Sequence, residues 1–172
     1  MLNGAALPFT PFHFGPGVAV HAVAPRHVSF LAFCTANVLI DVEPLYFILT
    51  DEFPLHRFFH TYLGATIAVF ATVALFATAL KLAAAATLPN LFGWKQLTAR
   101  PIALGAMLGG YSHILLDSLM HADMRPFAPF CAANPLLRAV SNDALHWACV
   151  VSGMAGIIFL GVRKALRMPR KN

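Results

Sequence analysis

The stretch PIALGAMLGGYSHILLDSLM, Pro101–Met120, carries no Lys, Arg or Glu and a single Asp. About 20 mostly apolar residues suffice to cross the hydrocarbon core of a bilayer as a helix, so this stretch reads as a membrane span. Gly105 and Gly109 form a GxxxG pair, with Ala106 and Gly110 beside them. Such small residues let helix backbones approach where lipid offers no hydrophobic drive. His113, Asp117 and His121 follow at intervals of four, which puts them on one helix face. That ladder continues the line of Ala106 and Gly110, so it is expected to point into a bundle. An ionisable group within a span is costly and marks a functional site by default.

The rest of the chain supports a membrane setting. Of its 172 residues, 59% are hydrophobic and 11% charged, where a soluble domain carries about 25% charged residues. Mean hydropathy is +0.70. Three further stretches are long and apolar enough to span, about 28–49, 58–83 and 144–162, the last with Gly153 and Gly156. The expected fold is therefore an all-α membrane protein, one integral domain over 1–172, with a bundle of four transmembrane helices. Gly17–Ala24, between Pro16 and Pro25, is too short to cross and is expected to be re-entrant or interfacial. The loop Ala122–Asp143, with Pro126, Pro129 and Pro135 among aromatic residues, is expected to be an irregular cap on the outer surface.

Basic residues orient the chain. With both termini cytoplasmic, the inside holds Arg26, Lys81, Lys95, Arg100, Arg163, Lys164, Arg167, Arg170 and Lys171, and the outside only Arg57, Arg125 and Arg138. The net charge of +5 is thus accounted for by the membrane, and no nucleic-acid partner is expected. The first basic residue is Arg26, so the charged start of a secretory signal is missing and the N-terminus is expected to be retained. Cys34, Cys131 and Cys149 form no CxxC pair; Cys34 and Cys149 are expected to pack within helices.

On an up-down-up-down path the polar residues collect toward the outer side. Asp41 and Glu43 lie late in the first span, His56 and His60 at the start of the second, His113, Asp117 and His121 late in the third, and Asp143 and His146 at the start of the fourth. Asn37 with Asp41, and His56 with His60, repeat the four-residue interval and are expected to form helical ladders. Imidazoles and carboxylates converging in an apolar setting suit a divalent metal, with zinc or manganese expected. The alternative is that they hold the helices together by bonding to one another. His21 and His27 read as packing or interface residues, Asp51, Glu52 and Asp123 as solvated loop charges. Arg57 or Arg125 can fork onto a substrate phosphate or carboxylate, or pair with a neighbouring acid.

The segments TPFHFGPG (Thr10–Gly17), NVLIDVEPLY (Asn37–Tyr46), HRFFHT (His56–Thr61), SHILLD (Ser112–Asp117) and PFAPF (Pro126–Phe130) resemble a bacterial family of small inner-membrane proteins described as metal-dependent hydrolases. The resemblance runs from about His13 to Phe130. It implies that His13, Asp41 with Glu43, His56 with His60, and His113 with Asp117 are the site positions. One departure is Phe59 where the family pattern has threonine, with a spacing of four rather than five between the two histidines.

The sequence thus reads as a membrane-embedded metal-dependent hydrolase acting on a lipid, lipid-linked or other small substrate at the membrane interface. His60, His113, Asp117 and Asp41 are the leading ligands, with His56 and His13 next. Glu43 is the candidate general base, a ligand role being equally compatible, and Arg57 the candidate substrate-binding residue. The chain contains no GxSxG elbow, glycine-rich phosphate loop or HExxH, which excludes the chemistries those motifs carry. A non-enzymatic metal-binding or carrier protein would use the same ligands, but needs a polar path through the inner half of the bundle. That half reads as apolar.

Overall fold

The computed structural model describes residues 10–85 and 89–167. All regular structure among them is helical: α1 (Thr10–Val23), α2 (Phe30–Leu49), α3 (Tyr62–Ala85), α4 (Ala99–Met120) and α5 (Asn142–Arg167), with a short 3-10 turn at Leu91–Gln96. Helices α2, α3, α4 and α5 are each long and apolar enough to cross a membrane. The chain is a multi-pass membrane protein built on a four-helix bundle.

The α2–α4 pair forms its spine. Ser29 caps α2 by accepting the Ala32 N–H, and its own N–H donates to the Pro101 carbonyl, which ties the starts of the two helices together. From there they run parallel. A Cβ on Gly105 would strike the Ser29 carbonyl, and one on Gly109 the Phe33 carbonyl, so both glycines of the GxxxG pair are spent on backbone contact, as the sequence implied. One further turn up, Asn37 meets His113. The same two stripes thus begin as close packing and end as polar chemistry.

Helix α3 packs on the other flank of α4, where Val69 and Ala65 lie over Gly110. It starts later than expected. Residues 54–61 are irregular, so His56 and His60 do not form a helical ladder. The chain stays non-helical there because its N–H groups are drawn to side chains: Glu43 accepts from Arg57 and Phe59, and Asp123 from Leu55 and His56.

Helix α1 also differs from expectation. It begins at Thr10 and runs through Pro16 rather than starting after it. Pro16 is the seventh residue of α1, inside the helix. At 14 residues α1 is about 21 Å long, short of the core's roughly 30 Å. It does not lie flat in the interface. Gly15 sits against Cys149 and Gly153, Ala19 against Gly156, and the Ala22 carbonyl accepts from Arg163. Residue numbers rise together, so α1 and α5 are parallel, with Thr10 toward the site end. Thr10 and the end of α5 therefore lie at opposite ends of the bundle. Of the basic tail, Arg170 and Lys171 lie outside the described residues.

At the end away from the polar cluster, Ala32, Ala36, Val69, Ile102 and Ala106 form a closed core backed by Val73, Phe76, Leu80 and Leu97. The outward faces carry exposed apolar side chains, such as Phe70, Val42, Val151 and Ile157, as a lipid-facing surface requires. The 122–143 loop is irregular as expected, but it does more than cover the surface. Met124 is buried and the Pro126 carbonyl accepts the Tyr62 N–H, which anchors the loop at the start of α3.

Candidate metal centre

Asp41 from α2, His113 and Asp117 from α4, and His60 from the turn before α3 bring one ligand atom apiece to within 4.8 Å of one another. His60, His113 and Asp117 are fully buried. These are the four leading ligands expected from the sequence. Such a group can hold a metal ion.

The histidine protons can be assigned from their neighbours. Asn37 Nδ2 donates to the Phe33 carbonyl at 2.9 Å, which leaves its Oδ1 as the acceptor facing His113 Nδ1, also at 2.9 Å. His113 thus carries its proton on Nδ1. His60 Nδ1 faces Glu43 Oε2 at 3.5 Å, so its proton lies on that side. If both rings are neutral, both Nε2 atoms are lone-pair atoms, and they face each other at 3.3 Å. Two acceptors at that separation repel unless a proton on one of them or a metal ion between them bridges the pair.

The remaining edges agree. His113 Nε2 lies 3.0 Å from Asp117 Oδ2 and 3.2 Å from Asp41 Oδ1; His60 Nε2 lies 3.4 and 3.5 Å from the same atoms. A tetrahedral ion with bonds of about 2.0–2.2 Å has ligand–ligand edges of about 3.3–3.6 Å, and an octahedral one with bonds near 2.1 Å has adjacent edges of about 3.0 Å. The five edges that involve a histidine fit a small divalent ion. Both Asp117 oxygens, although this close to ring nitrogens, have no partner in hydrogen-bonding geometry. Every ion-pair partner of Asp117 is a histidine: His13, His60, His113 and His121.

The other expected site residues fall around this group. His13, buried in α1, reaches it through Asp117: its Nε2 lies 3.0 Å from Oδ1 and its ring stacks on His113 with centroids 4.5 Å apart. His56 is buried one ring away, 4.6 Å from His60. Glu43 stands behind His60, on the side of the ring away from the aspartates. Arg57 is held at the rim, its Nη2 donating to Glu52 at 3.1 Å, its Nε to the Pro54 carbonyl, and its guanidinium lying 3.5 Å over the Phe47 ring. Glu52 is thus engaged rather than merely solvated. His146 packs on Phe12, His21 bonds to the Val28 carbonyl, and His27 is exposed; none joins the centre.

Two residues were missed. Asn37 was seen as a partner in spacing to Asp41, but its job of fixing the His113 proton depends on which α4 residue faces it. Asp123, expected to be a solvated charge, accepts from His56 Nδ1 at 2.9 Å and from two backbone N–H groups. Partial burial raises its pKa, but the His56 hydrogen bond and charge outweigh that and hold it well below the usual carboxylate range. It lies in an irregular loop, where no periodicity signals a partner.

A cavity of about 510 Å³ opens beside the centre, lined by His56, Arg57, Phe58, Thr61, Asp123 and Arg125 among others. No protein-family model matches this chain, and neither a search of curated proteins nor one of solved structures finds a match.

Proposed function

We propose that the protein is a membrane-embedded, metal-dependent hydrolase whose substrate enters at the membrane interface. The observation that supports this most is the meeting of the His60 and His113 Nε2 atoms at 3.3 Å, flanked by Asp41 and Asp117. A divalent ion held there, zinc or manganese by its ligand set, would lower the pKa of a water molecule and polarise the scissile group. The chain's own residues supply the rest. Asn37 and Glu43 orient the two imidazoles from behind, the arrangement that raises ligand basicity and fixes ring position. Glu43 Oε2 is already engaged by two N–H groups and His60, which favours positioning over the general-base role.

The adjacent cavity indicates the substrate class. Phe58 and Leu63 present apolar surface at its wall while Arg57 and Arg125 present guanidinium groups. An amphiphile with an anionic head, such as a lipid phosphate or carboxylate ester, matches both. Arg57, braced by Glu52 and Phe47, would hold the head in a fixed place.

The basic asymmetry supports a cytoplasmic C-terminal end in an inner membrane, with the centre facing away from the cytoplasm. The start of α1 lies at the same end of the bundle as the centre, and residues 1–9 lie outside the described residues. A carrier reading is less favoured, because Ala32, Ala36, Val69, Ile102 and Ala106 close the inner half with apolar packing.

The test is hydrolysis of phosphate-ester and carboxylate-ester amphiphiles by the protein in lipid nanodiscs. Turnover is expected only with divalent metal, abolished by chelation and absent in Asp41→Asn. Metal binding without turnover of any ester, together with metal uptake into proteoliposomes, would favour the carrier.

A further inference from the structure

A carboxylate has two oxygens, and only one of Asp117's is used by the group just described. Oδ2 faces His60 and His113. Oδ1 faces His13 Nε2 at 3.0 Å and His121 Nε2 at 3.8 Å. His56, Asp117 and His121 form a second set with one ligand atom apiece, all within 4.8 Å. His56 is built for this place. Its Nδ1 lies 2.9 Å from both Asp123 oxygens, and its backbone N–H and that of Leu55 donate to Oδ2 of the same carboxylate. The ring is thereby clamped with its Nε2 turned inward. That atom is buried and has no hydrogen-bond partner.

We propose that Asp117 bridges two divalent ions, the second held by His56, His121 and Asp117 Oδ1. This rests on the metal reading of the first group. Charge supports it independently. Of the chain's seven acidic residues, Asp41, Glu43, Asp117 and Asp123 all lie at this centre. With neutral histidines they sum to four negative charges, which two divalent ions cancel. One ion would leave two of these charges to the neighbouring histidines and, at the partly exposed Asp123, to solvent. The second set is looser than the first, and His121 is partly exposed where the first-set histidines are not. His56 and Asp123 also line the cavity. The second ion therefore faces the substrate and binds more weakly.

The protein in detergent is loaded with Zn²⁺ or Mn²⁺ alone, and bound metal is counted by mass spectrometry. Wild type is expected to hold two equivalents at saturation, one of them removed first by chelator. His56→Ala and His121→Ala should hold one, and Asp117→Ala none. The Mn²⁺-loaded wild type should give an exchange-coupled electron paramagnetic resonance spectrum, a readout that needs no variant to fold. One equivalent at saturation, or two with uncoupled spectra, overturns the bridge and leaves the single-ion reading standing. Two equivalents in folded His121→Ala also overturns it. No metal at all overturns both.

Discussion

Replacing Asn37 by leucine changes no candidate ligand and preserves bulk, yet should weaken metal binding. Asn37 is fully buried, and its Oδ1 accepts the His113 Nδ1 proton at 2.9 Å. In Asn37→Leu that N–H has no acceptor. A buried donor left unsatisfied costs about 1–3 kcal/mol. His113 can escape by shifting its proton to Nε2, but this places hydrogen where the ion must bind. Either way the metal-bound state carries the cost, since it requires Nε2 free and Nδ1 protonated. At 1.36 kcal/mol per decade, affinity should fall about 5- to 150-fold, in line with the roughly 10- to 100-fold typical of outer-shell changes. Asn37→Asp, which keeps an acceptor, should bind at least as well as wild type. Chelator competition for Zn²⁺ in detergent measures this, with helicity and melting checked in parallel. A folded Asn37→Leu with wild-type affinity would refute the proton assignment and the lone-pair argument built on it.

Gly109→Leu should destabilise the bundle by at least the roughly 1–3 kcal/mol of ordinary overpacking, because its side chain meets the Phe33 backbone; a detergent melt matching wild type would show the α2–α4 contact to be misplaced. Reporter fusions after Thr50 and after Asn172 should report opposite compartments, and a shared compartment would contradict the span count. Metal affinity should fall with acid, since protons compete for each ligating imidazole. With two such imidazoles the loss should approach about a hundredfold per pH unit where both are protonated, and a flat pH profile by calorimetry would argue against histidine ligation.

Much of this was legible because α4 obeys a single period. The interval of four from Gly105 through Gly109 and His113 to Asp117 places close packing and ligands on one stripe, so the inward direction of the ligands followed from the glycines beneath them. The same logic failed for His56 and His60. Their spacing imitates a helix, but Glu43 and Asp123 capture the backbone N–H groups that a helix would need, and those captors are distant in sequence. Asp123 was misread for the same reason, its partner being 67 residues away. The reach of α1 was hidden by Pro16, which inside a helix ordinarily breaks or kinks it, and by small residues on α5 whose partner helix could not be named from spacing alone.

The central claim is that Asp117 and His113 hold an ion rather than each other. The most direct measurement is metal content of purified wild type, His113→Ala, Asp117→Ala and His27→Ala after identical loading, with folding verified by helicity. The exposed His27 lies at the opposite end of the bundle and serves as the control. Wild type and His27→Ala should carry divalent metal, Asp117→Ala should carry none, and His113→Ala should lose the ion of the first group. Undiminished metal in folded Asp117→Ala, or a wild type that binds no divalent ion under any loading condition, would contradict the account.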